Sequence, residues 1–548
     1  MKKIFINIGL FIGLSSMFLL NSCKEDIVPV VDQLSFSRDF TPVGLSSVIS
    51  NVTTVTLSWS PVKNTDHYIL ETYNGADFIE SALIQTDTIP ALPGTVNVMS
   101  LQFVLPAGDT QFTTRIKAVS SLTGVEDSKW ASTTYKSGPE NLFTNYASEL
   151  SGLNACTVRW KPGSAATALL FVNGTIETSY PITAGEMAAG VKVLTSIPNA
   201  KYEVRLMNGT FVRGKRNLAL EGNVMLASGD NLLTAIIAAN PGDVILLPQG
   251  GTFVFTGNAI INKSIKIRAI YNTNLPTLYV ASGASTTAPM FLIDPALTPS
   301  DSIVFQNVTI TGYINNNSPE GMITGVYDQG TANACNIGTL RFEGCVLSHF
   351  SRHLIRLRGT ATQYINNFIV NNCTLFDYST NSTSYGIISS NTATGTINNI
   401  TFSNSTIYNF LSYLVLYSNN TASTSIVVKN CTLNQITYTT GSTSRYIIDA
   451  NATTLSSGIT IQNCIFGSTA AAHTNGVRTS ATLTISNSYR TTDYDDFFTP
   501  ATSIMSSLTA YSGASTALWV DPLTTHDFHF LDAGFVGKSN TGDPRWRP

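Results

Sequence analysis

Charge is scarce in this sequence. Asp, Glu, Lys and Arg make up 12% of 548 residues, about half the share usual in globular proteins. The 31 basic and 34 acidic side chains leave a net charge of only −3, which argues against the clustered Lys/Arg footprint of a nucleic-acid binder. Long apolar runs are lacking too, apart from one at residues 4–20, so no later segment reads as a membrane span. Zinc-ligand spacings, a phosphate-cradling glycine loop and the hydrolase nucleophile elbow are missing as well. Ser, Thr, Asn and Gly take the place of charge, and a polar, uncharged surface suits hydroxyl-rich ligands such as glycans. The chain is too long for a single core, so several domains are expected.

The one long apolar run sits behind Lys2 and Lys3 and ends in Leu20-Asn21-Ser22-Cys23. Positive start, apolar middle and small-residue end are the layout of a secretory signal peptide over residues 1–22. The last four residues resemble a lipobox, which implies lipidation at Cys23 and anchoring to a membrane without spanning it. Lys24, Glu25 and Asp26 then resemble the lipoprotein export signal of Bacteroidetes. That resemblance implies a place on the outer membrane, facing the cell exterior, with residues 23–33 as a tether.

From residue 34 to 137 short alternating segments are punctuated by turns. Thr54 to Val62 carries Trp59, His67 to Tyr73 follows it, and Phe112 to Val119 comes late. The core tryptophan, the tyrosine on the next strand and the late strand resemble a fibronectin type III β-sandwich. Residues 138–221 repeat the theme with Ala155 to Trp160 and Tyr202 to Leu206, so a second small β-sandwich is expected. Such modules act mainly as spacers.

Residues 230–239 have a helical pattern, ended by Asn240-Pro241-Gly242-Asp243 and followed by the buried strand 244–248. This passage is similar to the N-terminal cap and first coil of chondroitinase-B-like and alginate-lyase-like enzymes. A repeat follows. Phe305-Gln306-Asn307-Val308 is echoed at 342–345, 370–373, 402–405, 428–431, 461–464 and 485–488, with offsets of 37, 28, 32, 26, 33 and 24 residues between aligned Asn or Gly positions. The first residue of each unit reads as inward-facing and the Asn as a tight left-handed turn. The next residue is small enough for a crowded interior, so Cys345, Cys373, Cys431 and Cys464 read as a stack of buried free thiols. With two further strands per coil, the pattern resembles the pectate-lyase superfamily. The expected fold class is therefore all-β: N-terminal sandwiches, then a right-handed parallel β-helix over 222–490. Residues 491–548 resemble the terminal module of β-helix lipoproteins from Bacteroidetes glycan-utilisation systems and are expected to cap the open last coil.

In that superfamily substrates lie along one outer sheet. By analogy the candidate face here is the second strand of each coil. Its substrate-binding candidates are Arg352, Arg356, Arg358, Tyr385, Tyr413, Tyr417 and Arg445, with Asp328 and Asp449 on the same strands and His349, His353 and Asp377 nearby. Ile355 and Leu357 read as inward, Arg356 and Arg358 as outward. Arginine binds carboxylates bidentately and tyrosine stacks on sugar rings. Two functions follow from these residues: a surface polysaccharide-binding lipoprotein serving an outer-membrane glycan transporter, or a polysaccharide lyase acting on uronates. The lyase needs a base, for which Arg356 and Arg358 are the candidates, and calcium or other cations to stabilise a carbanion. The acidic calcium-ligand cluster and the Lys-containing segment of chondroitinase-B-like enzymes are absent, and no metal ligand is assigned. Asp493, Asp495 and Asp496 read as a solvated turn.

Overall fold

The computed structural model describes residues 36–92, 97–256, 258–330, 333–358, 361–378, 384–390, 395–411, 413–419, 421–436, 446–469, 476–494, 505 and 507–548. Cys23 and Arg445 lie outside the described residues, as do Asp495 and Asp496. Two units are distinguished: residues 1–142 with 206–214, and residues 143–205 with 215–548.

In the first unit, strands Ser46–Ser50, Thr54–Trp59 and Met99–Val104 form one antiparallel sheet. Leu83–Pro90, Thr65–Asn74, Gln111–Ser120 and Ala131–Lys136 form the other. The alternation seen in the sequence puts Val55, Leu57 and Trp59 on one inner face and Tyr68, Leu70, Phe112 and Ile116 on the other. Trp59 meets Tyr68 edge to face at 5.5 Å, the geometry the aromatic quadrupoles favour. Three strands packed on four is the fibronectin type III-like arrangement.

Ahead of the β-helix the chain forms a three-plus-four antiparallel sandwich around Cys156, Val158, Trp160, Leu169 and Phe171. The β-helix follows. Its coils stack into three parallel sheets of ten, ten and eight strands. The helix Leu232–Ala238, N-capped by Asn231, presses Leu232, Ala235 and Ile236 onto the first coil. At its other end Lys263 Nζ donates to the carbonyls of Ile237 and Ala239, each at 2.8 Å, where a cation opposes the helix dipole.

The repeat is a vertical register. Phe305, Phe342, Val370, Phe402, Val428, Ile461 and Ile485 stand above one another on consecutive strands of the first sheet. Two residues further on, each of these seven coils turns left-handed: Asn307, Gly344, Asn372, Asn404, Asn430, Asn463 and Asn487 all have φ between 42° and 64°. Asparagine side chains continue the ladder, Asn487 donating to Asn463, Asn463 to Asn430 and Asn430 to Asn404, each at 2.9 Å. Below that the ladder sidesteps, since Asn404 donates to Asn371 at 2.8 Å. All six described cysteines are buried and free. Cys345, Cys373, Cys431 and Cys464 fill the small-residue column beside Asn.

The end of the chain caps the last coil with only its first part. Tyr494, Met505 and Leu508 join the β-helix core and Thr509–Ala510 adds a strand to the second sheet, so this part closes the last coil. The remainder lies sideways across the outer face of the second sheet. Leu518, Trp519, Phe528 and Phe535 pack with Tyr408 and Ile465 there. Asp543 accepts a hydrogen bond from Thr406 at 2.7 Å, Arg545 donates to the Cys373 carbonyl at 2.6 Å, and Trp546 donates to Thr406 at 2.7 Å. The reason is the sheet's own outward row, in which Phe376 stacks on Tyr408 at 5.1 Å and needs cover. Asp493 is not a solvated turn. It accepts from the Ser515 backbone at 2.9 Å and hydroxyl at 2.6 Å, fastening the short helix Ser515–Leu518 to the last coil.

Replacing Asn404 separates the two roles of its column. Asn404→Gly keeps the left-handed turn and loses the side-chain ladder, at about 1 kcal/mol. Asn404→Ala adds left-handed strain of about 1–2 kcal/mol. The alanine variant is therefore expected to melt below the glycine variant, despite glycine's greater freedom when unfolded. Calorimetric melting checks the order, and equal or reversed midpoints contradict it.

Candidate functional site

The third sheet carries the candidate face. Its strands include Gly325–Asp328, His353–Arg356, Gly386–Ser389, Tyr413–Leu416, Ile448–Ala450 and Val477–Thr479. Ile355 and Leu357 point into the core, while Arg356 and Arg358 stay partly exposed, as the alternation of this segment predicts. Arg352 and Arg356 both lie over the Tyr385 ring, 5.1 and 4.8 Å from its centroid. Arg358 Nε donates to Asp328 Oδ1 at 2.8 Å, and Arg356 Nη1 stands 4.0 Å from Asp328 Oδ2. The Asp328 side chain is only 4% exposed, so its charge is compensated by these guanidinium groups rather than by water. Three arginines, one carboxylate and one tyrosine ring are thus brought together from adjacent coils.

His353 sits beneath them. It is fully buried, with Nε2 3.6 Å from Asp328 Oδ2 and neither ring nitrogen hydrogen-bonded. Gly325 permits this: a Cβ there would lie 2.4 Å from His353 Cδ2. Burial, reinforced by Arg356, Arg352 and Arg358 against the opposing pull of Asp328, pushes the imidazole down to about 3. Burial also lowers the Arg356 guanidinium from its usual value, helped by Arg358 and Arg352 and resisted by Asp328.

Other candidates fall elsewhere. Tyr413 is partly exposed on the next coil. Tyr417 is a core residue rather than part of the face. It is fully buried, and its hydroxyl accepts from the Ile397 backbone at 2.8 Å and bonds Ser423 at 2.6 Å. His349 and Asp377 form a pair at 3.1 Å on the second sheet, where Tyr313 stacks on His349 at 4.1 Å. Asp449 is buried on the third sheet and holds Arg478, whose Nε donates to Oδ1 at 3.0 Å. Arg478 lies 4.5 Å over the Tyr446 ring. Neither Arg478 nor Tyr446 stood out in the sequence, although Val477-Arg478 repeats the position of Ile448-Asp449 one coil later. Among the described residues no group of three or more His, Cys, Asp or Glu side chains is placed to hold a metal ion, and no helix is long and apolar enough to cross a membrane.

The model of a domain of unknown function, DUF5123, matches residues 426–546. That span takes in the last coils and the segment lying on the second sheet. No curated protein matches the chain. Among solved structures, the chain is similar to a two-domain fibronectin type III segment of chicken tenascin. Identity is 19%, with 33% of this chain and 98% of that one covered and a TM-score of 0.19. It is also similar to the FN1–FN3 domains of chicken CNTN1, at 13% identity, 33% and 66% coverage and a TM-score of 0.14.

His353 makes stability pH-dependent in a definite direction. Unfolded, the imidazole takes up a proton near 6.5; folded, only near 3. Between those values the unfolded chain binds more protons, so stability falls as pH falls. His353→Gln is expected to flatten the decline of the melting midpoint across that window. An unchanged slope would show that His353 does not contribute.

Proposed function

We propose that this chain is a lipid-anchored surface protein that binds acidic polysaccharide on the outer face of the third β-helix sheet. The observation that carries the reading is the convergence of Arg352, Arg356 and Arg358 on one tyrosine ring and one buried carboxylate. Guanidinium groups held over an aromatic ring by cation–π contact are pre-oriented, so little side-chain freedom is lost when a carboxylate arrives. Asp328 uses only part of their donor capacity, because each guanidinium has five N–H groups. The Tyr385 ring, with Arg352 and Arg356 over it, serves to position them. Lipidation at Cys23, export to the cell exterior, sandwich spacers and delivery of bound glycan to an outer-membrane transporter complete the reading, and they rest on the sequence.

The lowered proton affinity of Arg356 favours a second reading, a lyase that breaks uronate linkages by β-elimination. A base must release its proton to act, and burial beside two other guanidinium groups is the environment that weakens an arginine's hold on it. Arg352 and Arg358 would neutralise the substrate carboxylate in such a reaction.

Affinity electrophoresis in gels containing polygalacturonate, with and without calcium, tests the proposal. Retarded migration without product is expected. Arg356→Ala should weaken binding by about tenfold or more, the loss of a charged hydrogen-bonding partner. Unsaturated products absorbing in the ultraviolet would replace the binding reading with the lyase. Unchanged affinity in Arg356→Ala would remove this face from consideration.

A further inference from the structure

Each coil adds one residue to every column of the third sheet. The outward column through Asp328 reads Asp328, Arg356, Ser389, Leu416, Asp449 and Arg478 on six successive strands. An aspartate followed by an arginine therefore occurs twice, with two uncharged residues between. The pairs share their parts, although Arg356 stands 4.0 Å from Asp328 and Arg358 makes the hydrogen bond there, whereas Arg478 donates to Asp449 itself. Both aspartates are buried, at 3% and 2% exposure, and both arginines lie over a tyrosine, Arg356 over Tyr385 and Arg478 over Tyr446. Tyr413 comes from the coil between those two tyrosines, and all three rings are partly exposed. The register sets Tyr413 beside Gly386, one position from Tyr385. Four strand spacings separate Arg356 from Arg478, about 19 Å at roughly 4.8 Å each.

We infer that Arg478 with Tyr446 is a second anion-binding subsite, and that both subsites take one extended acidic glycan running along the β-helix axis. The inference rests on the glycan-binding reading above and adds the far site, the direction of the ligand and its minimum length. Arg478 keeps 38% of its side chain exposed while bound to Asp449, so N–H groups remain for a carboxylate. Among the described residues the column between the two pairs is uncharged, being Ser389 and Leu416, so charge is recognised at the ends. A chain too short to reach both ends engages one. A longer chain gains the second contact at high effective concentration.

Calorimetric titration of the full chain in mild detergent tests this, using size-fractionated oligogalacturonates and neutral galactan oligomers as control. Affinity for the acidic series is expected to climb with length until the oligomer reaches about 19 Å and then to level. Arg478→Gln should leave the shortest binder unaffected and lower affinity for long oligomers about tenfold, the loss of the linked contact. Tyr446→Ala, which keeps the Asp449–Arg478 pair, should do the same if removal of Arg478 disturbs folding, and melting curves of both variants check this. Arg356→Gln should weaken every length. A preserved climb in Arg478→Gln and Tyr446→Ala, or equal weakening of short and long oligomers, overturns the second subsite. Short-oligomer binding with no climb in the unsubstituted protein overturns it too and leaves the first subsite standing. Absence of binding at every length removes the glycan reading and this inference together.

Discussion

A coil of a parallel β-helix satisfies none of its own sheet hydrogen bonds. Every strand must find its partners in the coils before and after it, because a parallel ladder left open is an unpaired edge. That constraint forces consecutive coils into fixed register, and register turns the sequence into columns. One column is aromatic and aliphatic from Phe305 to Ile485. A second is left-handed from Asn307 to Asn487, and a third holds the buried thiols. Loops vary from coil to coil while the columns stay intact. The charged column of the third sheet is the same device turned outward, since it places side chains far apart in sequence at strand spacing on a rigid surface.

The columns that must obey backbone geometry were legible in the sequence. A left-handed turn excludes most residues, so Asn and Gly recur there and announce the period. Trp59 and Tyr68 announced the first sandwich because large aromatics at alternating positions have few places to go but the core. Tyr417 was misplaced for the opposite reason. Tyr413-Leu414-Val415-Leu416-Tyr417 is apolar throughout, so its alternation says nothing about which tyrosine faces out, and only the Ile397 and Ser423 partners of Tyr417 decide it. Arg478 escaped notice because its strand, Val477–Thr479, is three residues long and carries no Asn turn. The docking of the chain end could not be read at all: Thr406 and Asp543 are 137 residues apart, and neither residue type signals a partner.

The faces of the β-helix differ in what they leave for a ligand. On the second sheet, Phe376 and Tyr408 are covered by the chain's own C-terminal segment, where His526 stacks on Tyr408 at 4.0 Å. The third sheet instead carries buried carboxylates on its outward column with partly exposed arginines beside them. Buried carboxylates cost desolvation energy and add little stability for it. An Asp–Arg pair repeated at one column position is therefore better understood as an orienting device than as a structural bond. Asp328 and Asp449 fix where the guanidinium groups stand, and the tyrosine rings lie against them.

The most direct test of this account is a crystal structure of the protein with a bound acidic oligosaccharide long enough to pass from Arg356 to Arg478. The account predicts continuous sugar density along the third sheet, parallel to the β-helix axis, with carboxylates at Arg356 or Arg358 and at Arg478. Sugar bound across the coils, on either β-sandwich, or beside His349 and Asp377 on the second sheet would contradict it.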